Sequence, residues 1–301
     1  MTSTTIPRGV FAPVATTFAE NGELDLDAFR SNMEFYARSP LDGVVFLGSN
    51  GEFALLDRSE KLRLIEAGLS ANNGRKVVLA GTGVESTRGT IELTREAAAL
   101  GLDYALIVTP YYYKPAYDQK AVLAHYRAVA DASPVPILIY IMTAYTGVDL
   151  PSAVIAELSR HPNIAGVKDS GGNAPKVAEM IAQAAPDFAV LAGSASFLYP
   201  ALCLGATGGI VALGNVAPEL CKEISCKFEA GDHETARQSQ MRALAPNAAV
   251  TSRFGIPGLK VALDYVGLKG GRPRPPLQPL GAEDARKVKS ILDEAGIGRV
   301  G

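Results

Sequence analysis

Short apolar runs alternate with helically spaced segments along most of this 301-residue chain, and that alternation limits its folds more than any other feature. The runs are Val10 to Phe18, Gly43 to Gly48, Lys76 to Gly81, Tyr104 to Thr109, Pro136 to Met142, Ile164 to Lys168, Phe188 to Ala192 and Gly208 to Leu213. Stretches such as "KVVLAG" and "ALIVT" are apolar without alternation, as expected of strands buried on both faces. Strands separated by helices must run parallel, because each crossover brings the chain back to the same end of the sheet. Eight such units predict an α/β protein with a closed (β/α)8 TIM barrel. An open, doubly wound sheet is the alternative.

The intervening segments carry apolar residues at helical spacing, among them "DLDAFRSNMEFYAR", "QKAVLAHYRAVAD" and "APKVAEMIAQAA". "DRSEKLRLIEAGLSA" opens with Asp57 and Glu60 at capping-box spacing. After about residue 231 the strands stop. The expected organisation is a barrel over residues 1–230 and a helical extension over 231–301. The extension holds "ETARQSQMRALAPNAAV", "GIPGLKVALDYVG" and "AEDARKVKSILDEAG", the last two joined by the Pro-rich "GRPRPPLQPL".

Composition removes several classes. A net charge of −2 and no basic patch argue against nucleic acid. No stretch reaches the roughly 18 apolar residues of a membrane span. The start, "MTSTTIPRGVFAPV", reads as neither signal nor transit peptide, and the three cysteines suit free thiols, so the expected location is cytoplasmic. Three scattered histidines share no ligand spacing, so no metal and no other cofactor are expected.

Barrel active sites lie at the C-terminal ends of the strands. Lys168, in "NIAGVKDSGGN", stands at such an end. Strand alternation puts it on one face with Ile164 and Gly166, the glycine leaving open space beneath the lysine stem. A lysine desolvated there becomes a neutral amine able to form a Schiff base; the plain alternative is a strand-end charge paired with Asp169. Tyr140 in "PILIYIMTAYTG" is either a general acid/base or a core tyrosine. In "LGSNGEF", Gly48, Ser49 and Asn50 form either a carboxylate-binding turn or an ordinary Asn-Gly turn. The three tyrosines of "VTPYYYKP" fit an interface, a core or a site.

Taken together, "GSNGE", "TPYYY", the strand-5 tyrosine and "GVKDS" occur in an order that resembles the N-acetylneuraminate lyase and dihydrodipicolinate synthase superfamily of pyruvate-dependent class I aldolases. "PNAAVTSRFGIPGLK" and "GLKGGRPRPPLQPL" look like its 4-hydroxy-2-oxoglutarate aldolase branch. The resemblance implies that Lys168 forms an imine with pyruvate or another 2-oxo acid and that Tyr140 shuttles the proton. It implies that Ser49 and Asn50 hold the pyruvyl carboxylate. It matches Ile210 to a position whose backbone carbonyl faces the lysine. It matches Tyr112 to a tyrosine reaching into a neighbouring subunit, hence a homodimer or homotetramer.

Two departures stand out. Asn50 lacks the hydroxyl that dihydrodipicolinate synthases have there, so Ser49 would carry the relay alone. Tyr145 occupies the position of the synthases' carboxylate-binding arginine, where hydroxyoxoglutarate aldolases usually have asparagine. The expected function is therefore retro-aldol cleavage of a 4-hydroxy-2-oxo acid to pyruvate and an aldehyde. The alternatives are a condensing synthase, a 2-keto-3-deoxy sugar acid aldolase and a non-catalytic 2-oxo-acid-binding barrel.

Overall fold

A computed structural model describes residues 7–299. Residues 1–6, which begin the segment read above for a leader, lie outside the described residues. The strands are β1 (Gly9–Pro13), β2 (Gly43–Phe46), β3 (Val77–Gly81), β4 (Tyr104–Val108), β5 (Ile137–Ile141), β6 (Ile164–Asp169), β7 (Ala189–Ala192) and β8 (Gly208–Ile210). All pair in parallel in chain order, and β8 closes on β1 through Phe11 opposite Ile210. Closure excludes the open doubly wound sheet. Most strands stop one or two residues short of the apolar runs that predict them, and the first and last fall short by more. β1 stops at Pro13, and the run from Gly208 turns into a 3-10 segment at Ala212–Asn215. A strand lasts only while a neighbour pairs with it, whereas apolarity continues into the buried loops.

Helices cover the barrel: α1 (Leu26–Arg38), α2 (Arg58–Asn72), α3 (Thr87–Ala99), α4 (Gln119–Ala132), the single turn α5 (Thr143–Thr146), α6 (Ser152–Leu158), α7 (Ala174–Gln183), α8 (Leu198–Cys203) and α9 (Pro218–Glu229). The capping box of α2 is complete in both directions between Asp57 and Glu60. Beyond the barrel lie α10 (His233–Ala248), α11 (Gly255–Val266) and α12 (Ala282–Glu294). The segment expected as one helix from 234 to 250 widens into a π-helical turn over Ala249–Arg253, just after Pro246 inside α10. Proline has no N–H to give the α-helical ladder, and a wider turn is one way the chain accommodates it.

The barrel interior is filled by Phe11, Val45, Leu79, Leu106, Leu138, Leu191 and Ile210, with Tyr140 among them. The outward faces of the strands meet the helices: Ile137, Ile139, Ile164 and Val167 pack with Val154 and Ile155 of α6. Here the simple alternation expected for β6 fails. Ile137 pairs with Ile164, but the next residue, Leu138, pairs with Gly166, so Ala165 is an extra residue in a bulge. Ile164 faces the helices and Ala165 the interior. Gly166 and Lys168 then lie opposite the interior residues Leu138 and Tyr140. A bulge inserts one residue and reverses the facing of all that precede it.

Gly166 does not leave open space. A Cβ there would lie 2.5 Å from the Ala189 carbonyl oxygen and 2.7 Å from the Ala189 Cβ. The glycine lets β6 and β7 approach, which fixes the strand that carries Lys168. Gly166→Ala is expected to lower unfolding free energy by about 2 kcal/mol through overpacking. Urea denaturation of the two proteins measures it, and equal midpoints would refute it.

Candidate active site

Lys168 lies at the C-terminal end of β6, only 3 % exposed. The register sets it opposite Tyr140 of β5. Its Nζ stands 4.1 Å from the centre of the Tyr140 ring. The Tyr140 hydroxyl is 3.1 Å from Ser49 Oγ, a hydrogen bond in which either oxygen can donate. An amine and a phenol from two strand ends thus meet a hydroxyl from the turn after a third strand. Asp169 does not pair with Lys168. It faces the other way, accepts a hydrogen bond from the Gly171 N–H at 2.7 Å and stands 3.8 Å from Lys176 Nζ.

Ser49 sits on a 3-10 turn, Ser49–Gly51, directly after β2. The turn is bracketed by Leu47 and Glu52, both non-glycine residues in the left-handed region at φ 55° and 54°. Such conformations cost about 1 kcal/mol or more each and persist where the surroundings hold them. The Thr16 hydroxyl donates to the Gly51 carbonyl at 2.7 Å. Glu52 does most of the holding. It is buried, its Oε1 is 3.1 Å from Lys260 Nζ of α11, and its Oε2 accepts from the Arg274 N–H at 2.8 Å. Lys260 also donates to the carbonyls of Thr16 and Gly270. Burial pushes the Glu52 carboxyl up and the Lys260 ammonium down, and the attraction between them opposes both shifts.

Arg274 completes the anchor. Its guanidinium grips both oxygens of Glu60, donates to the carbonyls of Gly22 and Leu55, and lies over the Phe18 ring. The Arg274 hydrogen bond holds the Glu60 carboxyl below its usual range. This ties the Pro-rich segment across the barrel mouth, where Pro276 and Leu277 line a cavity of about 600 Å³.

Gly48, Ser49, Tyr140 and Tyr145 line that cavity, together with Tyr111, Lys61 and Glu85. Partial burial and the neighbouring Tyr140 hold the Tyr145 phenol above its ordinary range. Asn50 is half-buried on the same turn. Ile210 is buried in the barrel interior at the end of β8. Tyr112 is not in the cavity of its own chain: it is 72 % exposed, while Tyr111 of the same run lines the cavity. Glu85 accepts the N–H groups of Tyr111 and Tyr112 and so fixes this loop. The contributions of Glu52, Lys61, Lys260 and Arg274 escape a reading by strand ends. The glutamate inside "GSNGEF" and the lysine inside the apolar "GLKVAL" were the available signals.

The histidines are dispersed. His125 Nδ1 meets the Thr87 hydroxyl, His161 pairs with Asp131, and His233 meets Tyr199. Among the described residues no three His, Cys, Asp or Glu side chains converge on a point, and no helix is long and apolar enough to cross a membrane.

Two outcomes follow from the anchor. Glu52→Gln strands a buried ammonium and is expected to cost about 3 kcal/mol in urea denaturation. Combining it with Lys260→Met is expected to restore part of that loss, and strict additivity would contradict the pairing. Glu60 titrates below its unfolded pKa, so its stabilisation is complete above that value and disappears as pH falls through the folded one. The stability gap between the protein and Arg274→Met should therefore shrink as pH drops below about 4. A gap constant down to pH 2 would refute it.

Residues 6–295 match the dihydrodipicolinate synthetase family. The chain is 38% identical over 293 residues to a probable mitochondrial 4-hydroxy-2-oxoglutarate aldolase of Emericella nidulans, covering 95% of this chain and 94% of that one. It is 35% identical over 286 residues to a 4-hydroxy-tetrahydrodipicolinate synthase of an Exiguobacterium species, covering 95% and 97%. A prophage protein of the dihydrodipicolinic acid synthase family from E. coli K12, solved in complex with pyruvate, superposes with a TM-score of 0.91 at 29% identity, covering 96% and 99%. Sequence and fold agree over nearly the whole length, and the chain belongs to the dihydrodipicolinate synthetase family.

Proposed function

We propose that the protein is a Schiff-base aldolase that cleaves a 4-hydroxy-2-oxo acid, with 4-hydroxy-2-oxoglutarate as the leading substrate, to pyruvate and an aldehyde, here glyoxylate. The observation that carries this reading is the buried Lys168 amine over the Tyr140 ring, with the Tyr140–Ser49 hydrogen bond beside it. The name borne by the Emericella relative supports the substrate class.

In this reading the Lys168 amine adds to the C2 carbonyl and water leaves, giving a protonated imine. The positive nitrogen is an electron sink. Tyr140 accepts the proton of the C4 hydroxyl, the C3–C4 bond breaks, and its electron pair enters the imine as an enamine. The aldehyde departs. Tyr140 returns the proton to C3, with Ser49 as the relay through the 3.1 Å contact. Water then hydrolyses the imine and releases pyruvate. Gly48, Ser49 and Asn50 hold the pyruvyl carboxylate with hydroxyl, amide and backbone N–H groups, and the Ile210 carbonyl faces the reacting amine. Tyr145 borders the distal end of the substrate. Tyr112, exposed on its own subunit, serves the site of a second subunit in a homodimer or homotetramer.

The second reading is condensation of pyruvate with an aldehyde, which the synthase name of the Exiguobacterium relative favours. A phenol at position 145, where synthases carry an arginine, weighs against it.

Incubation with pyruvate and borohydride, followed by peptide mass spectrometry, tests the chemistry. A reduced pyruvyl adduct on Lys168 is expected, together with glyoxylate release from 4-hydroxy-2-oxoglutarate. Tyr140→Phe is expected to lower kcat by about 10²–10⁴-fold while retaining adduct formation. Folded protein without any adduct would overturn the proposal.

A further inference from the structure

The cavity's lining holds one basic side chain, and the mechanism above does not use it. Lys61, in the first turns of α2, is only 8 % exposed, yet it lines the cavity together with Ser49 and Tyr140. Its Nζ stands 4.1 Å from the centre of the Phe53 ring. Among the described residues its side chain makes no ion pair and no hydrogen bond. Burial holds its ammonium below the ordinary lysine range.

The nearby carboxylates are already committed. Asp57 caps α2, Glu60 is gripped by Arg274, Glu52 is paired with Lys260, and Glu85 accepts two backbone N–H groups. Lys61 is the one basic side chain among the cavity's lining residues. Much of the rest of the wall is apolar, including Phe53, Met142, Ile256 and Leu277. Asp57 and Glu60 attract the Lys61 ammonium without reaching pairing distance, so a partly desolvated cation is left with no direct partner, and an anion entering the cavity would relieve that cost.

We infer that Lys61 is a specificity-determining residue that binds the distal carboxylate of a dicarboxylic 2-oxo acid. The inference rests on the proposed 2-oxo-acid chemistry and narrows it. Lys168, Ser49 and Asn50 take the keto-acid end. The far carboxylate then has to meet a cation, and Tyr145 supplies none. The four-carbon stem of Lys61 lets its ammonium follow the ligand along the apolar wall.

Calorimetric titration with 2-oxoglutarate and with 2-oxopentanoate tests this, since the two differ by a carboxylate in place of a methyl at the far end. The wild-type protein is expected to bind the diacid about 30-fold more tightly, as for a charge-assisted contact worth about 2 kcal/mol. Lys61→Met should bring that ratio to within about threefold of unity, and Lys61→Arg should keep most of it. Equal affinities in the wild type, or a preference unchanged in Lys61→Met, would overturn the inference. Pyruvate trapping in the same preparations separates the two claims. A Lys168 adduct with no diacid preference defeats this inference alone. A diacid preference lost in Lys61→Met, with no adduct, defeats the aldolase reading alone.

Discussion

In a parallel strand pair, residues on one face of the sheet meet only residues of the same parity on the neighbour, so Lys168 reaches Tyr140 only in one register of β6 on β5. A slip of one residue would turn Lys168 toward the helices and bring Asp169 inward. The bulge at Ala165 and the tight approach of Gly166 to Ala189 secure that register. Below the bulge, Ile164 keeps its contact with the outer core; above it, the lysine enters the barrel. One extra residue thus lets the strand serve both packing and chemistry.

The third group of the constellation comes from a loop rather than a strand, and its position is secured differently. Ser49 lies between two residues in left-handed conformations, an arrangement a free loop would not keep. A buried ion pair to α11 and the Arg274 clasp hold it. The helices after the barrel therefore reach the site through charge. Lys260 precedes the segment that crosses the barrel mouth and Arg274 lies within it, so one set of contacts fixes both the turn carrying Ser49 and part of the cavity wall. Buried ion pairs are uncertain sources of stability, but a buried pair is specific about geometry, and here that geometry sits behind the serine.

Much of this was legible in the chain. Eight apolar runs with helical intervals specify parallel strands, and the pairing of β8 with β1 decides for a closed barrel over an open doubly wound sheet. Placing Lys168 and Tyr140 at strand ends needed only the rule for where barrels put their sites. The facing of Ile164 and the role of Gly166 were misread, since a bulge leaves no mark in an apolar run. The three tyrosines were indistinguishable until the Glu85 carboxylate was seen to hold the loop so that Tyr111 borders the cavity and Tyr112 faces outward.

The sequence by itself determined the order and kind of the elements, because periodicity and capping act over a few residues and are written locally. Asp57 and Glu60 close their box whatever lies elsewhere. Only the tertiary structure decided which charges are spent and which are free. Glu52, Glu60, Lys260 and Arg274 lie as far apart as 222 residues in the chain yet satisfy one another, while Lys61, next to Glu60 in sequence, is left facing the cavity. Pairing between charges depends on distance in space and on burial, and neither is encoded in the neighbourhood of any single residue.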